Sequence, residues 1–110
     1  MAFKATHRFA RISERKARLT IDMIRGLDCD QAVELLRFTP NRAAVFINRV
    51  LQSAMASANE QEAVMNRLVV SQAFVDGGPI IKRWRPKDRG RAHPIQKRTS
   101  HITVCVEERA

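Results

Sequence analysis

The sequence predicts an α+β fold: a small antiparallel sheet packed on three helices, with a long protruding β-hairpin. Three observations carry this. Apolar residues recur at helical spacing through most of the first sixty positions. They switch to strand-like alternation after residue 67 and again near the C-terminus. Between those two runs, residues 80–100 hold Ile80, Ile81, Trp84 and Ile95 but little else that could be buried. A chain of 110 residues is one domain long and can build one modest core. The expected division is a body, 1–79 and 101–110, with 80–100 as an extended arm.

Residues 2–10 alternate loosely, with Phe3, Ala5, His7 and Phe9 on one side and Lys4, Thr6 and Arg8 on the other. That predicts a short strand with a basic outer face. Ser13 reads as the N-cap of a helix over 13–25, in which Ala17, Ile21 and Ile24 form the apolar stripe. Gly26 stands where a left-handed residue would end it. Asp28 and Gln31 form a capping box for a second helix, with Val33, Leu35 and Leu36 apolar. Pro40 and Asn41 break the pattern and open a third helix, whose Ala43, Ile47, Val50, Leu51, Ala54 and Ala58 share a face. Residues 59–66 are polar and read as a loop.

Residues 67–76 predict a strand buried on both faces, since Leu68, Val70 and Phe74 alternate with Val69, Ala73 and Val75. Asp76-Gly77-Gly78-Pro79 interrupts it as a turn or a bulge. Ile102, Val104 and Val106 alternate with Thr103 and Cys105 in a closing strand. If 80–100 is a hairpin turning near Asp88-Arg89-Gly90, each side reaches roughly 30 Å. An isolated two-stranded ribbon is marginal in water, so its tip is expected to move in the free protein and to order on a partner.

Charge points to that partner. Residues 82–98 contain Lys82, Arg83, Arg85, Lys87, Arg89, Arg91, Lys97 and Arg98 against one acid, Asp88, which is +7 of the chain's net +9. Residues 4–18 contain Lys4, Arg8, Arg11, Arg15, Lys16 and Arg18 against Glu14. The remainder is slightly acidic. Solubility alone would not demand such concentration; a polyanion would. Guanidinium groups pair with phosphate oxygens, Trp84 offers a face for stacking, and Gly90 allows close backbone approach. Ser13 and the first turn after it form a natural phosphate seat.

Other chemistries find no support. The acids sit at a helix start, in a polar loop or at the chain end, and none form a catalytic pair. His101 and Cys105 share a strand face, but two ligands do not make a zinc site. Ser100 and His101 are adjacent on a strand and point to opposite faces. Neither a cofactor nor a metal is expected. Cys29 and Cys105 lie far apart and read as free, buried thiols. No run of about 18 apolar residues could span a membrane. The start has neither an apolar signal core nor a convincing transit peptide, so the expected location is the cytoplasm.

At this level the chain resembles a known family. Gly78-Pro79, Lys82-Arg83, Pro86, Arg89-Gly90-Arg91-Ala92 and Lys97-Arg98-Thr99-Ser100-His101-Ile102-Thr103-Val104 are similar, in this order, to the signature of large-subunit ribosomal protein twenty-two. Ser13, Lys16, Arg18-Leu19, Ile24-Arg25-Gly26 and the alanine-rich run from Leu51 to Asn59 extend the resemblance over essentially the whole chain. The resemblance implies a body near the outer end of the ribosomal exit tunnel. It also implies a hairpin threading large-subunit (23S-type) rRNA, early binding in assembly, and a tip in the tunnel constriction close to where macrolides bind. The expected RNA contacts at the body are Lys4, Arg8, Arg11, Ser13, Arg15, Lys16, Arg18 and Arg25, of which the resemblance carries over Arg15, Lys16 and Arg18 by position. Lys82, Arg83, Trp84, Arg85, Lys87, Arg89, Gly90, Arg91, His93, Lys97, Arg98, Thr99, Ser100 and His101 would make such contacts on the arm. Pro86, Lys87, Asp88, Arg89, Gly90, Arg91 and Ala92 would form the tip. Implied partners are rRNA, neighbouring large-subunit proteins and the nascent peptide, with no membrane and no homo-oligomer.

Five positions depart from the family pattern: Asp88 and His93-Pro94 near the tip, Glu14 where proline is frequent, and Trp84 in place of a smaller apolar residue. Two other functions were weighed. The helices over 13–25 and 28–38 superficially suggest a DNA-binding helix-turn-helix, but Asp28, Asp30 and Glu34 would repel a groove. An RNA-modifying enzyme lacks its catalytic constellation.

Overall fold

The computed structural model describes residues 2–87 and 90–108, and at Lys87, Arg91, Ala92 and His93 the backbone alone. The elements follow the order β1 (Ala2–Ala10), α1 (Glu14–Ile21), α2 (Cys29–Phe38), α3 (Arg42–Glu60), a 3-10 turn (Met65–Arg67), β2 (Leu68–Lys87) and β3 (Arg91–Glu108). The fold is α+β: three helices cover one face of a three-stranded antiparallel sheet of order β1-β3-β2. The hairpin is not appended to the body. β2 and β3 run unbroken from the core into it, paired from Leu68↔Glu108 out to Lys87↔Arg91. The molecule is accordingly 64 Å long and 24 Å across. Its radius of gyration, 17.0 Å, exceeds the ~13 Å of a compact domain this size.

The core lies between sheet and helices. β3 contributes Ile102, Val104 and Val106, all fully buried. α3 faces them with Ala43, Ala44, Ile47, Val50, Leu51, Ala54 and Ala58. The alanines in that stripe let the long helix lie close to the sheet, and each large aliphatic contributes about 1.5–3 kcal/mol by leaving water. α1 adds Ala17 and Ile21, and α2 adds Cys29, Ala32 and Leu36.

Several expectations need correction. α1 ends at Ile21 rather than Arg25, and irregular turns follow; Gly26 is left-handed (φ 85°) but lies beyond the Asp22 C-cap. There its N–H bonds the Val70 carbonyl, and Val70 N–H bonds Leu27 O, so the chain leaves the helix to dock on β2. Asp28 has N-cap backbone geometry but makes no cap hydrogen bond with its side chain. α3 continues to Glu60, shortening the expected loop.

Strand parity was misread twice, each time at a bulge. Between Val70 and Gln72 the register slips, so the inward set changes from Leu68 and Val70 to Ala73 and Val75. Phe74 is turned outward at 38% exposure, and β2 is buried on one face, not both. Between His7 and Ala10 a second irregularity puts Ala10 in the core and leaves Phe9 exposed at φ 59°. Cys105 is half-buried on the outer sheet face, whereas Cys29 is fully buried. The Asp76–Pro79 signal is a bulge between Gly77 and Ile80 inside a continuous strand.

β2 is an edge strand, and its free edge is covered by arginine. Arg25 donates through Nε and Nη2 to the Ala73 carbonyl, and Arg18 does the same to the Val75 carbonyl. With the Val70 backbone pair and the Asp28↔Val69 bridge, these contacts satisfy groups that would otherwise template another strand.

Candidate nucleic-acid interface

Beyond the Gly77 bulge the ribbon carries cations on both faces. Directly opposed residues of an antiparallel pair share a face, and neighbours along a strand alternate. Lys82 opposite Gln96, Trp84 opposite Pro94 and Arg98 opposite Ile80 therefore lie on one side. Arg83 opposite Ile95 and Lys97 opposite Ile81 lie on the other, with Arg85 in the same row. Lys82, Arg83, Trp84, Arg85, Pro86, Lys97 and Arg98 are exposed, Trp84 to 69%. A single solvated face would leave the other side apolar or neutral; this ribbon is charged all round. Gly90 has φ 74°, the left-handed region that a tight connection from β2 to β3 uses. Asp88 and Arg89, assigned to the tip, lie outside the described residues, as do the side chains of Lys87, Arg91, Ala92 and His93.

At the root, three expected contact residues are buried or half-buried within the protein. Thr99 is buried and donates to the Pro79 carbonyl at 2.7 Å, bridging the bulge. Ser100 is fully buried, and its hydroxyl has no partner among the described atoms. His101 is half-buried; its Nδ1 accepts the Phe9 N–H at 3.1 Å, and the two rings meet edge-on at 5.0 Å. These residues fix where the ribbon leaves the sheet.

On the body, Lys4, Arg8, Arg11, Arg15 and Lys16 are exposed and Ser13 is half-buried, accepting the Lys16 N–H over a long 3.4 Å. Arg18 and Arg25 are turned to β2 and also pair with Glu14 and Asp22. Their charge reads the same in sequence whether it meets a carbonyl edge or a phosphate.

Folding joins two clusters that lie some eighty positions apart. Arg11, Ser13 and Lys16, from the start of α1, line one cleft of about 630 Å³ with Lys97 and Arg98 from the returning ribbon. Arg42, at the first turn of α3, completes it. Sequence reasoning passed over Arg42. A signal existed: a cation in a helix's first turn opposes the helix dipole, and a broken local rule often marks a site. Arg42 is held in place by Phe46, its guanidinium carbon lying 5.6 Å from the ring centroid.

Among the described residues, no helix is long and apolar enough to cross a membrane, and no three His, Cys, Asp or Glu side chains gather as a metal site would need. The model of the family described as Ribosomal protein L22p/L17e matches residues 5–107. That match spans every helix, both core strands and the whole ribbon. The chain thus belongs to the L22p/L17e ribosomal proteins, and it is a structural constituent of the large ribosomal subunit.

Proposed function

We propose that the protein binds large-subunit rRNA through two surfaces. One is the body face bearing Lys4, Arg8, Arg11, Ser13, Arg15 and Lys16. The other is the hairpin, 80–100, an extended unit distinct from the body. Its tip, Pro86 to Ala92, lines the peptide exit tunnel beside the nascent chain. In this role it supports subunit assembly in the cytoplasm and performs no catalysis. The observation that carries the reading is the two-sided cationic ribbon, with Lys82 and Arg98 on one face and Arg83, Arg85 and Lys97 on the other.

The mechanism is counter-charge plus shape. Lys and Arg neutralise phosphates, and a narrow ribbon fits between RNA segments that a globular surface would not reach. Exposed Trp84 adds a stacking face. Thr99, Ser100 and His101 act indirectly, by aiming the ribbon from its root.

The test is filter binding of the full chain to a large-subunit rRNA fragment and to duplex DNA of equal length. With about six phosphate contacts, log K against log salt should fall with a slope near −4 to −5. A preference for the DNA, or a flat salt response, would overturn the proposal.

A further inference from the structure

The cleft at the hairpin root is more than a continuation of the charged surface. Five cations line it from three elements: Arg11 and Lys16 near the start of α1, Arg42 on α3, and Lys97 and Arg98 on β3. Among the described residues no acid lines it; Glu14 and Asp22 are engaged elsewhere, with Arg18 and Arg25. Its 630 Å³ falls within the range of about 300–1,000 Å³ typical of small-molecule sites. One wall is apolar: Ile12 is buried, while Leu19 stands 70% exposed among the cations.

Phosphate alone does not account for this combination. A regular RNA duplex is convex and could lay phosphates over the rim, but it could not fill the concavity. An unpaired nucleotide does both, since its base is free to leave the stack and its neighbouring phosphates turn with it. We propose that this cleft receives one unpaired RNA nucleotide. Arg11 and Lys16 hold the phosphate on one side, Arg42 and Arg98 hold the phosphate on the other, and Leu19 packs on the base. The proposal rests on the RNA-binding reading above and adds to it the kind of RNA feature recognised. Arg42, fixed over Phe46, is the pre-positioned member.

The test compares three RNAs of equal length with the full chain: a perfect duplex, the same duplex with one bulged nucleotide, and duplex DNA as reference. Wild type should bind the bulged RNA about tenfold tighter than the perfect duplex, the effect of burying the Leu19 side chain against one base. Lys16→Gln with Arg42→Gln should erase that preference and make the salt slope shallower by about 1.5–2. Leu19→Ala should reduce the preference while leaving the slope unchanged. Lys16, Leu19 and Arg42 are exposed, so unchanged thermal unfolding serves as the folding control. Equal binding of bulged and perfect RNA by wild type overturns the proposal, although RNA still preferred over DNA would leave the wider reading intact. In a competition arm, adenosine monophosphate should displace the bulged RNA at lower concentration than inorganic phosphate. Equal displacement by the two would mean a simple anion seat and would also overturn it.

Discussion

Substituting alanine for Gly78 should unfold the protein at a markedly lower temperature, whereas the same change at Gly77 should not. A Cβ at Gly78 would lie 2.6 Å from Thr99 Oγ1 and 3.3 Å from both the Thr99 carbonyl carbon and His101 Cε1. Thr99 is buried and tied to the Pro79 carbonyl, so it cannot swing aside without losing that bond. Overpacking costs about 1–3 kcal/mol and the broken hydrogen bond about 0.5–1.5 kcal/mol. The lower entropy of an unfolded alanine returns about 0.4–1 kcal/mol. The net loss is about 0.5–4 kcal/mol, or roughly 2–16 °C in Tm at about 4 °C per kcal/mol for this chain length. At Gly77 the added Cβ would fall on Glu14 Oε2, the free end of a flexible side chain that can rotate away. That change should stay within about 0.5 kcal/mol. The assay is thermal unfolding by circular dichroism of both variants and of Gly78→Ala combined with Thr99→Ala. The double variant should recover much of the clash, with a coupling of about 1 kcal/mol or more. Equal Tm shifts at the two glycines, or strict additivity with Thr99→Ala, would refute the steric account of the bulge.

Three further outcomes follow from the same structure. Replacing residues 82–96 by Asn-Gly joins the paired Ile81 and Lys97 with a hairpin turn; Tm should change by only a few degrees while RNA affinity falls, since the described side chains there lie outside the core. Ser100→Ala should be neutral or stabilise by up to about 1 kcal/mol in urea unfolding, because the buried hydroxyl it removes has no partner. Burial first, then the charges of Asp30 and Asp28, push the Cys29 thiol up to about 11. A disulfide reagent at pH 8 should therefore label half-buried Cys105 first and reach Cys29 only on unfolding. The unfolded thiol ionises near 8.5, so the unfolded state loses its proton first. Stability should fall as pH rises from about 8.5 to 11, and Cys29→Ala should lack that component.

Sequence periodicity located every major element, because burial against one sheet face imposes a period that propensity alone does not. It failed where the period itself breaks. The bulges at Ser71 and ahead of Ala10 each shift one strand against its partner, and neither carries a glycine to announce it. Gly77 and Gly78 did mark the third. For the interface, net charge pointed to the ribbon and to the start of α1, but Arg18 and Arg25 are spent largely on the β2 edge. Arg42 escaped notice because an isolated arginine on an amphipathic helix looks like ordinary surface. Only the fold sets it beside Lys97 and Arg98.

The sheet order has a consequence for synthesis. The first strand, β1, pairs only with β3, so Ala2 meets Glu107 across nearly the full chain. Closing so distant a contact is slow compared with local pairing. As the chain is made from its N-terminus, β1 and the apolar sides of α1 and α3 must wait for the eighteen residues of β3 before their core can close. β2 and β3 need only a short connection. The basic ribbon can therefore pair before β1 joins, and the segment 102–106 completes the body. A nascent chain interrupted before residue 102 would therefore present its basic segments with no finished body behind them.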